Sequence, residues 1–196
     1  MSKLRISQSK RSFLISLLTG FLAPACAQAR ETYVQFAARM NSTGAFQPQI
    51  EKMLFSKINA YRAAQGKSIL QTDPNLLSAA RAHAQDMATH NFMGHVASTG
   101  HDFESRMRAF KGGGMQVLPS MGENAADIRV DGKTPDAVAE GLFQEWLHSE
   151  EHRRNMVSRD YIKAAMGVAV FNGKAYADQI FAGADMKSNF FGTQSQ

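Results

Sequence analysis

The chain ends in a stretch that can do little other than fold back on itself. Met166–Phe171 and Lys174–Phe181 are strand-like runs. Between them lies Asn172-Gly173, two residues that accept the left-handed backbone a tight hairpin turn demands. An antiparallel pair is therefore expected near the C-terminus. Upstream, the apolar period changes from two to between three and four. Ile50, Met53, Leu54, Ile58 and Tyr61 repeat at helical steps, with an end near Gly66. Asp73-Pro74 is a cap followed by proline at the first helical position, and Leu76, Leu77, Ala80, Ala84 and Met87 form the stripe behind it. Asn91 and Gly94 mark the exit of that helix and leave His95 on a loop. Asp102 to Phe110 reads as a short helix with Phe103, Met107 and Phe110 on one side.

Thr134-Pro135 repeats the cap-and-proline signal ahead of Val138, Leu142, Phe143 and Trp146, and Ser149 caps a short helix through His152 and Met156. Gly112-Gly113-Gly114 reads as a hinge or crossing, since phosphate cradling needs more than a bare glycine triplet. Met115 to Leu118 is a candidate short strand. Helices and an antiparallel sheet in separate runs predict an α+β sandwich.

Charge first suggests a basic partner, and then withdraws the suggestion. The formal net charge is +5, but Lys3, Arg5, Lys10 and Arg11 supply four of the 22 basic residues and no acid occurs before Glu31. Beyond residue 29 the balance is 18 basic against 17 acidic, which gives no electrostatic support for nucleic acid. The same N-terminal charges, followed by the apolar run Phe13 to Leu22 and the small-residue sites Ala25-Cys26-Ala27 and Ala27-Gln28-Ala29, have the layout of an export signal. The apolar run is too short to span a bilayer comfortably, so the mature chain is expected to have no transmembrane span. Lipid anchoring at Cys26 is an alternative, although Pro24 is atypical of that box. Cys26 is the only cysteine, so a chain cleaved after it would have neither a disulfide nor a thiol nucleophile. The expected organisation is a signal over 1–29, a polar leader over 30–48, one domain over 49–185 and a flexible tail over 186–196, in a periplasmic or extracellular protein.

Three short segments carry the chemistry: Gly94-His95, Gly122-Glu123-Asn124 and His152-Arg153-Arg154-Asn155. Two imidazoles and one carboxylate in one cleft would suit zinc or a similar divalent ion, with an open position for an acidified water. The plainer alternative is a hydrogen-bonded cluster in which Glu123 accepts from both imidazoles. Asn124 and Asn155 are expected to tie loops to backbone. A competing pattern, His148-Ser149-Glu150-Glu151-His152, fits the inverted zinc-peptidase motif H-x-x-E-H. It requires one helical face through both histidines, which a helix start at Ser149 would break. His83, on the second helix among alanines, reads as a partly buried structural residue.

Taken together, Ile58-Asn59-x-Tyr61-Arg62, Leu76, His83-Ala84-x-Asp86-Met87-Ala88, Phe92-x-Gly94-His95, Gly100, Arg106, Gly122-Glu123-Asn124, Trp146-x-x-Ser149-x-x-His152-Arg153-x-Asn155 and Gly167-Val168 resemble the CAP superfamily of cysteine-rich secretory, antigen 5 and pathogenesis-related proteins, in its bacterial branch. The resemblance covers roughly residues 50 to 182. It implies a three-layer α-β-α sandwich with an antiparallel sheet and a cleft of two histidines and two glutamates able to bind a divalent metal. His95, Glu123 and His152 match three of those positions. At the fourth, where animal members often have glutamate, this chain has Ser149. The resemblance implies a binding or interaction module for an envelope-derived ligand such as a lipid, glycan or peptide. A metal-assisted hydrolase using the same cleft, and a structural envelope protein with no active site, are the alternatives.

Overall fold

The structure, a computed structural model, describes residues 31–110 and 120–184. The expected export signal, the Gly112–Gly114 hinge, the strand over Met115–Leu118 and the tail over 186–196 lie outside these residues. Among the described residues, six helices and four strands follow in the order α1 (Tyr33–Thr43), α2 (Pro48–Ala64), β1 (Gln71–Thr72), α3 (Pro74–His90), α4 (Phe103–Phe110), β2 (Met121–Arg129), α5 (Pro135–His148), α6 (Glu150–Val157), β3 (Lys163–Phe171) and β4 (Lys174–Ala182). The cap signals act as read. The Asp73 side chain accepts from the amides of Asn75 and Leu76, Thr134 accepts from Ala137, and Ser149 accepts from His152. Asn91 ends α3 in the left-handed region at φ 51°, so its side chain avoids the strain most residues would meet there.

The strands form one sheet in the order β1-β3-β4-β2. β3 and β4 are antiparallel across the Asn172-Gly173 turn, and β2 is antiparallel to β4. β1, however, runs parallel to β3, so the sheet is mixed and not purely antiparallel as expected. Two residues of β1 suffice, because the helical connections between β1 and β3 give the chain length that a parallel crossover requires.

Helices cover both faces. On one, α2, α5 and α6 bury Leu54, Ile58, Leu142, Trp146 and Met156 against Val168, Ala177 and Phe181. On the other, α3 and α4 bury Leu76, Ala80 and Met107 against Ala165 and Ile180. The small side chains of α3 let it settle directly on the sheet. A Cβ on Gly167 would run into the backbone of Ala80 and Arg81. The segment expected as a polar leader instead carries α1, which buries Tyr33, Phe36, Ala37 and Met40 against Ala82 and Ala97. Its start is a capping box, in which Thr32 and Gln35 each bond the other's backbone amide.

Candidate functional site

β2 is an edge strand, and successive residues of a strand point to opposite faces. Gly122-Glu123-Asn124 uses both. Glu123 turns toward the α3–α4 layer and Asn124 toward the α5–α6 layer. Each then fixes one histidine, so the site straddles the free edge of the sheet.

On the first side, α3 grips the loop that carries His95. His83 Nε2 lies 2.8 Å from the carbonyl oxygen of Gly94, which makes it the donor and the ring the Nε2–H tautomer. Three residues on, the Asp86 carboxylate accepts from the amide and hydroxyl of Ser98 at 2.9 and 2.6 Å. Residues three apart share a helix face, so the His-x-x-Asp spacing places both anchors under one loop. His95 then donates from Nδ1 to Glu123 Oε2 at 2.8 Å, while its side chain is half exposed. Arg106, from α4, completes this half: its guanidinium pairs with Glu123 Oε1 and donates to the His95 carbonyl at 3.2 Å.

On the second side, Asn124 donates to the carbonyl of His152 at 3.2 Å and to Gln179 at 2.9 Å. Asn155 donates to the Glu123 carbonyl and to Asn124. The expectation that these asparagines tie loops to backbone is met. Gly122 makes room for the arrangement, because a Cβ there would meet the Tyr161 hydroxyl and, at 3.2 Å, Asn155 Oδ1. The ring of His152 keeps a buried Nδ1 with no partner among the described residues.

The electrostatics follow from burial and pairing. Burial alone would push the Glu123 carboxyl up, but the His95 hydrogen bond and the Arg106 charge reverse this and bring it down to about 2. The same hydrogen bond raises His95. Burial, and then the nearby charge of His95, lower His152, so the two imidazoles feel one another. Burial and the Arg106 charge lower His83 to about 4, which keeps it neutral. Deeper still, Asp178 is fully buried on β4; burial and the Glu123 charge hold its carboxyl well above the usual range.

The structure brings His95 and Glu123 into direct contact, while His152 is tied to the same strand only through its backbone and Asn124; Glu123 has a different role from the one expected. Both of its oxygens are engaged, one by His95 and one by Arg106, so it stands behind His95 as an orienting acceptor. Among the described residues no group of three or more His, Cys, Asp or Glu side chains is placed to hold a metal. The donor set that remains is two imidazoles, His95 offering Nε2. Ser149 contributes its hydroxyl to the α6 cap at 3.4 Å from the His152 amide, so its part in the cleft is to set the start of that helix. The zinc-peptidase pattern fails: α5 ends at His148, Ser149 is extended, and α6 begins at Glu150, so the two histidines share no helical face. Sequence reasoning placed Arg106 among the residues that carry the resemblance without giving it a role, missed Asp178 as part of this site, and read His83 as less buried than it is. The only signal for His83 was its spacing to Asp86.

A sequence model of the cysteine-rich secretory protein family (CAP) matches residues 55–185. An uncharacterised protein of Bacillus subtilis, YkwD, is 30% identical over 161 residues, which covers 82% of this chain and 55% of that protein. The membrane protein YlbC of the same organism is 30% identical over 118 residues, 60% of this chain and 31% of its own length. The chain thus spans about half the length of the first of these relatives and a third of the second. Among solved structures, an outer surface protein of Borrelia burgdorferi superposes with a TM-score of 0.59 at 17% identity, over 73% of this chain and 100% of that one. An extracellular SCP-domain protein of Bacillus anthracis gives 0.55 at 22% identity, over 75% and 43%. Among the described residues, no helix is long and apolar enough to cross a membrane.

Proposed function

The chain belongs to the cysteine-rich secretory protein (CAP) family, and from that premise we propose that it is an exported binding module whose ligand is engaged between His95 and His152. The observation that carries this reading is the His95–Glu123 hydrogen bond of 2.8 Å, backed by a buried arginine. A carboxylate behind one ring nitrogen fixes the tautomer and presents the other nitrogen outward, as is common behind metal-bound or ligand-bound histidines. A divalent ion such as zinc would be held by His95 and His152. It would supply a positive centre for an anionic or carbonyl group of an envelope-derived molecule. Two protein ligands make an open site rather than a closed structural one. Glu123 is held too firmly by Arg106 to serve as a general base, which favours binding over the hydrolase alternative. Support for export comes from the basic and apolar N-terminal pattern, and from the extracellular and outer-surface descriptions of similar proteins.

The test is calorimetric titration of the chelator-stripped protein with zinc, beside His95→Ala/His152→Ala and Glu123→Gln. One saturable site is expected, lost in the double variant and weakened about 10- to 100-fold in Glu123→Gln. Binding that is absent, or equal in a folded double variant, would overturn the metal part of the proposal.

A further inference from the structure

A second recess lies at the far end of α6 from His152, and its chemistry is of another kind. α2 ends at Ala64, and Gly66, at φ 65°, turns the chain back. The next residues face the loop that leaves α6. Between them is a recess of about 330 Å³ whose walls include Arg62, Lys67, Ser68, Arg159 and Ile162, with no acidic side chain among its lining residues.

Arg62 forms its floor. The guanidinium is almost wholly buried and donates only to carbonyls: Ser68 at 2.8 Å, Met156 at 2.8 Å, Ser158 at 2.9 Å and Tyr161 at 3.4 Å. These bonds lock the two loops together and engage the Met156 and Ser158 carbonyls at the end of α6, which offsets part of the negative charge that would oppose an anion there. They bring no neutralising carboxylate. Above this buried cation, Lys67 and Arg159 have no ion-pair partner among the described residues. Lys57, Arg81, Arg106, Lys163 and Lys174 each pair with a carboxylate, whereas Lys133 and Arg153 meet only backbone carbonyls. What sets Lys67 and Arg159 apart is that they share one recess with a buried guanidinium. Asp160 adjoins Arg159 in sequence, but it is exposed and takes no part in the lining. Ile69 and Ile162 expose 65% and 45% of their surface beside this positive ground.

We propose that this recess is an oxyanion site that takes a phosphate group, with the uncharged part of the phosphate-bearing ligand resting on Ile69 and Ile162. The charges of Lys67 and Arg159 together match that of a phosphate. The Arg159 fork fits its geometry, and the Ser68 hydroxyl can donate to it. A concave positive site with low-dielectric walls also concentrates anions. A soluble phosphate ester and a phospholipid headgroup share this chemistry.

Amide chemical-shift titration of the full chain with inorganic phosphate tests the site, beside Lys67→Glu/Arg159→Glu and the charge-matched control Lys52→Glu/Lys133→Glu, two exposed positions outside the recess. Saturable shifts are expected around Lys67, Ser68 and Arg159, weakened at least tenfold in the double variant, unchanged in the control and reduced by added salt. Shifts absent from these residues, or an equal loss in the control, would overturn the proposal. Sedimentation with phosphatidylglycerol vesicles then distinguishes the sources. If the site is confirmed, pelleting that Ile69→Ser and the double variant both lose assigns a lipid headgroup, and no pelleting assigns a soluble ester. Pelleting without phosphate shifts would overturn the site, because attraction would then be diffuse. Neither Lys67 nor Arg159 touches the His95 cleft, so loss of phosphate binding with intact zinc binding fails this proposal alone.

Discussion

The two helical layers of this molecule differ in what they bury, although one sheet serves both. The α2–α5–α6 layer is mainly an apolar core, with Leu54, Ile58, Leu142, Trp146 and Phe181 at zero exposure, and it buries few polar groups, Arg62, Asn124 and Gln179 among them. The α3–α4 layer, covering the other face, buries His83, Asp86, Arg106, Glu123 and Asp178 as well as hydrocarbon. The strands make this possible by alternation: on β4, Ala177 and Phe181 face the first layer while Asp178 and Ile180 face the second. More of the buried polar atoms without a partner among the described residues lie in the second layer, including His83 Nδ1, Arg106 Nε and both Asp178 oxygens, than in the first, where Trp146 Nε1 and Gln179 Nε2 also lack one. Such atoms cost stability. The apolar layer supplies stability to the fold as a whole, which lets its neighbour hold a charged site in place.

The largest effect should come from the apolar side. Trp146→Ala removes the largest fully buried side chain and should cost about 4–5 kcal/mol, read as a loss in chemical denaturation that is nearly the same at pH 5 and pH 8. A cost that varied strongly with pH would break the contrast between the layers. Next comes Arg106→Met, which keeps the volume but leaves the Glu123 carboxylate buried without its cation. A loss of about 3–4 kcal/mol is expected, because removing one partner strands the other. The His95 resonances should also lose their single orientation, a readout that a purely structural role for Arg106 would not move.

What the sequence could reveal differs between the layers for the same reason. Helices α2, α3 and α5 and the terminal hairpin were legible because apolar spacing, caps and a turn dipeptide encode them locally. α1 carried the spacing too, in Tyr33, Phe36, Ala37 and Met40, with the Thr32–Gln35 box ahead of it; the polar residues between them hid it. β2 had no alternation to read, since its buried centre is Glu123, Asn124, Ala125 and Ala126. The site was legible as three residue names but not as roles. A buried arginine and a surface one look alike in sequence, and only the packing of α4 brings Arg106 to Glu123. β1 is too short to have any period, so the parallel pairing came unannounced.

Acid should strip the polar layer first. His83 is neutral in the fold with its pKa near 4, whereas the unfolded chain protonates it near 6.5. Between those values the unfolded state binds more protons, so stability falls as pH drops from 6.5 to 4, by about 3 kcal/mol for the full interval. His152, also lowered, adds to the same window, while the raised His95 works in the opposite sense and loses its contribution as pH rises. Glu123 extends the loss from pH 4.5 down to about 2. Denaturation midpoints followed across roughly pH 4–7 should therefore slope in the native chain and flatten markedly in His83→Gln. An unchanged slope in that variant would assign the acid response elsewhere.

The finest discrimination is at Asp178. Burial and the Glu123 charge both oppose its ionisation and hold its carboxyl well above the usual range, whereas the unfolded chain ionises it near 3.8. A raised acid pKa gives the fold its full benefit only below the unfolded value. Above it, the unfolded state gains from releasing a proton that the folded state must keep. Asp178→Asn retains the size and polarity of the protonated acid without that penalty. The variant should be more stable than the native chain at pH 7, with a melting temperature higher by roughly 2–4 °C, and the advantage should vanish below about pH 4. A loss of stability at neutral pH would mean that the layer needs the Asp178 anion as a partner for Arg106, in which case its charges are balanced by pairing and not by protonation.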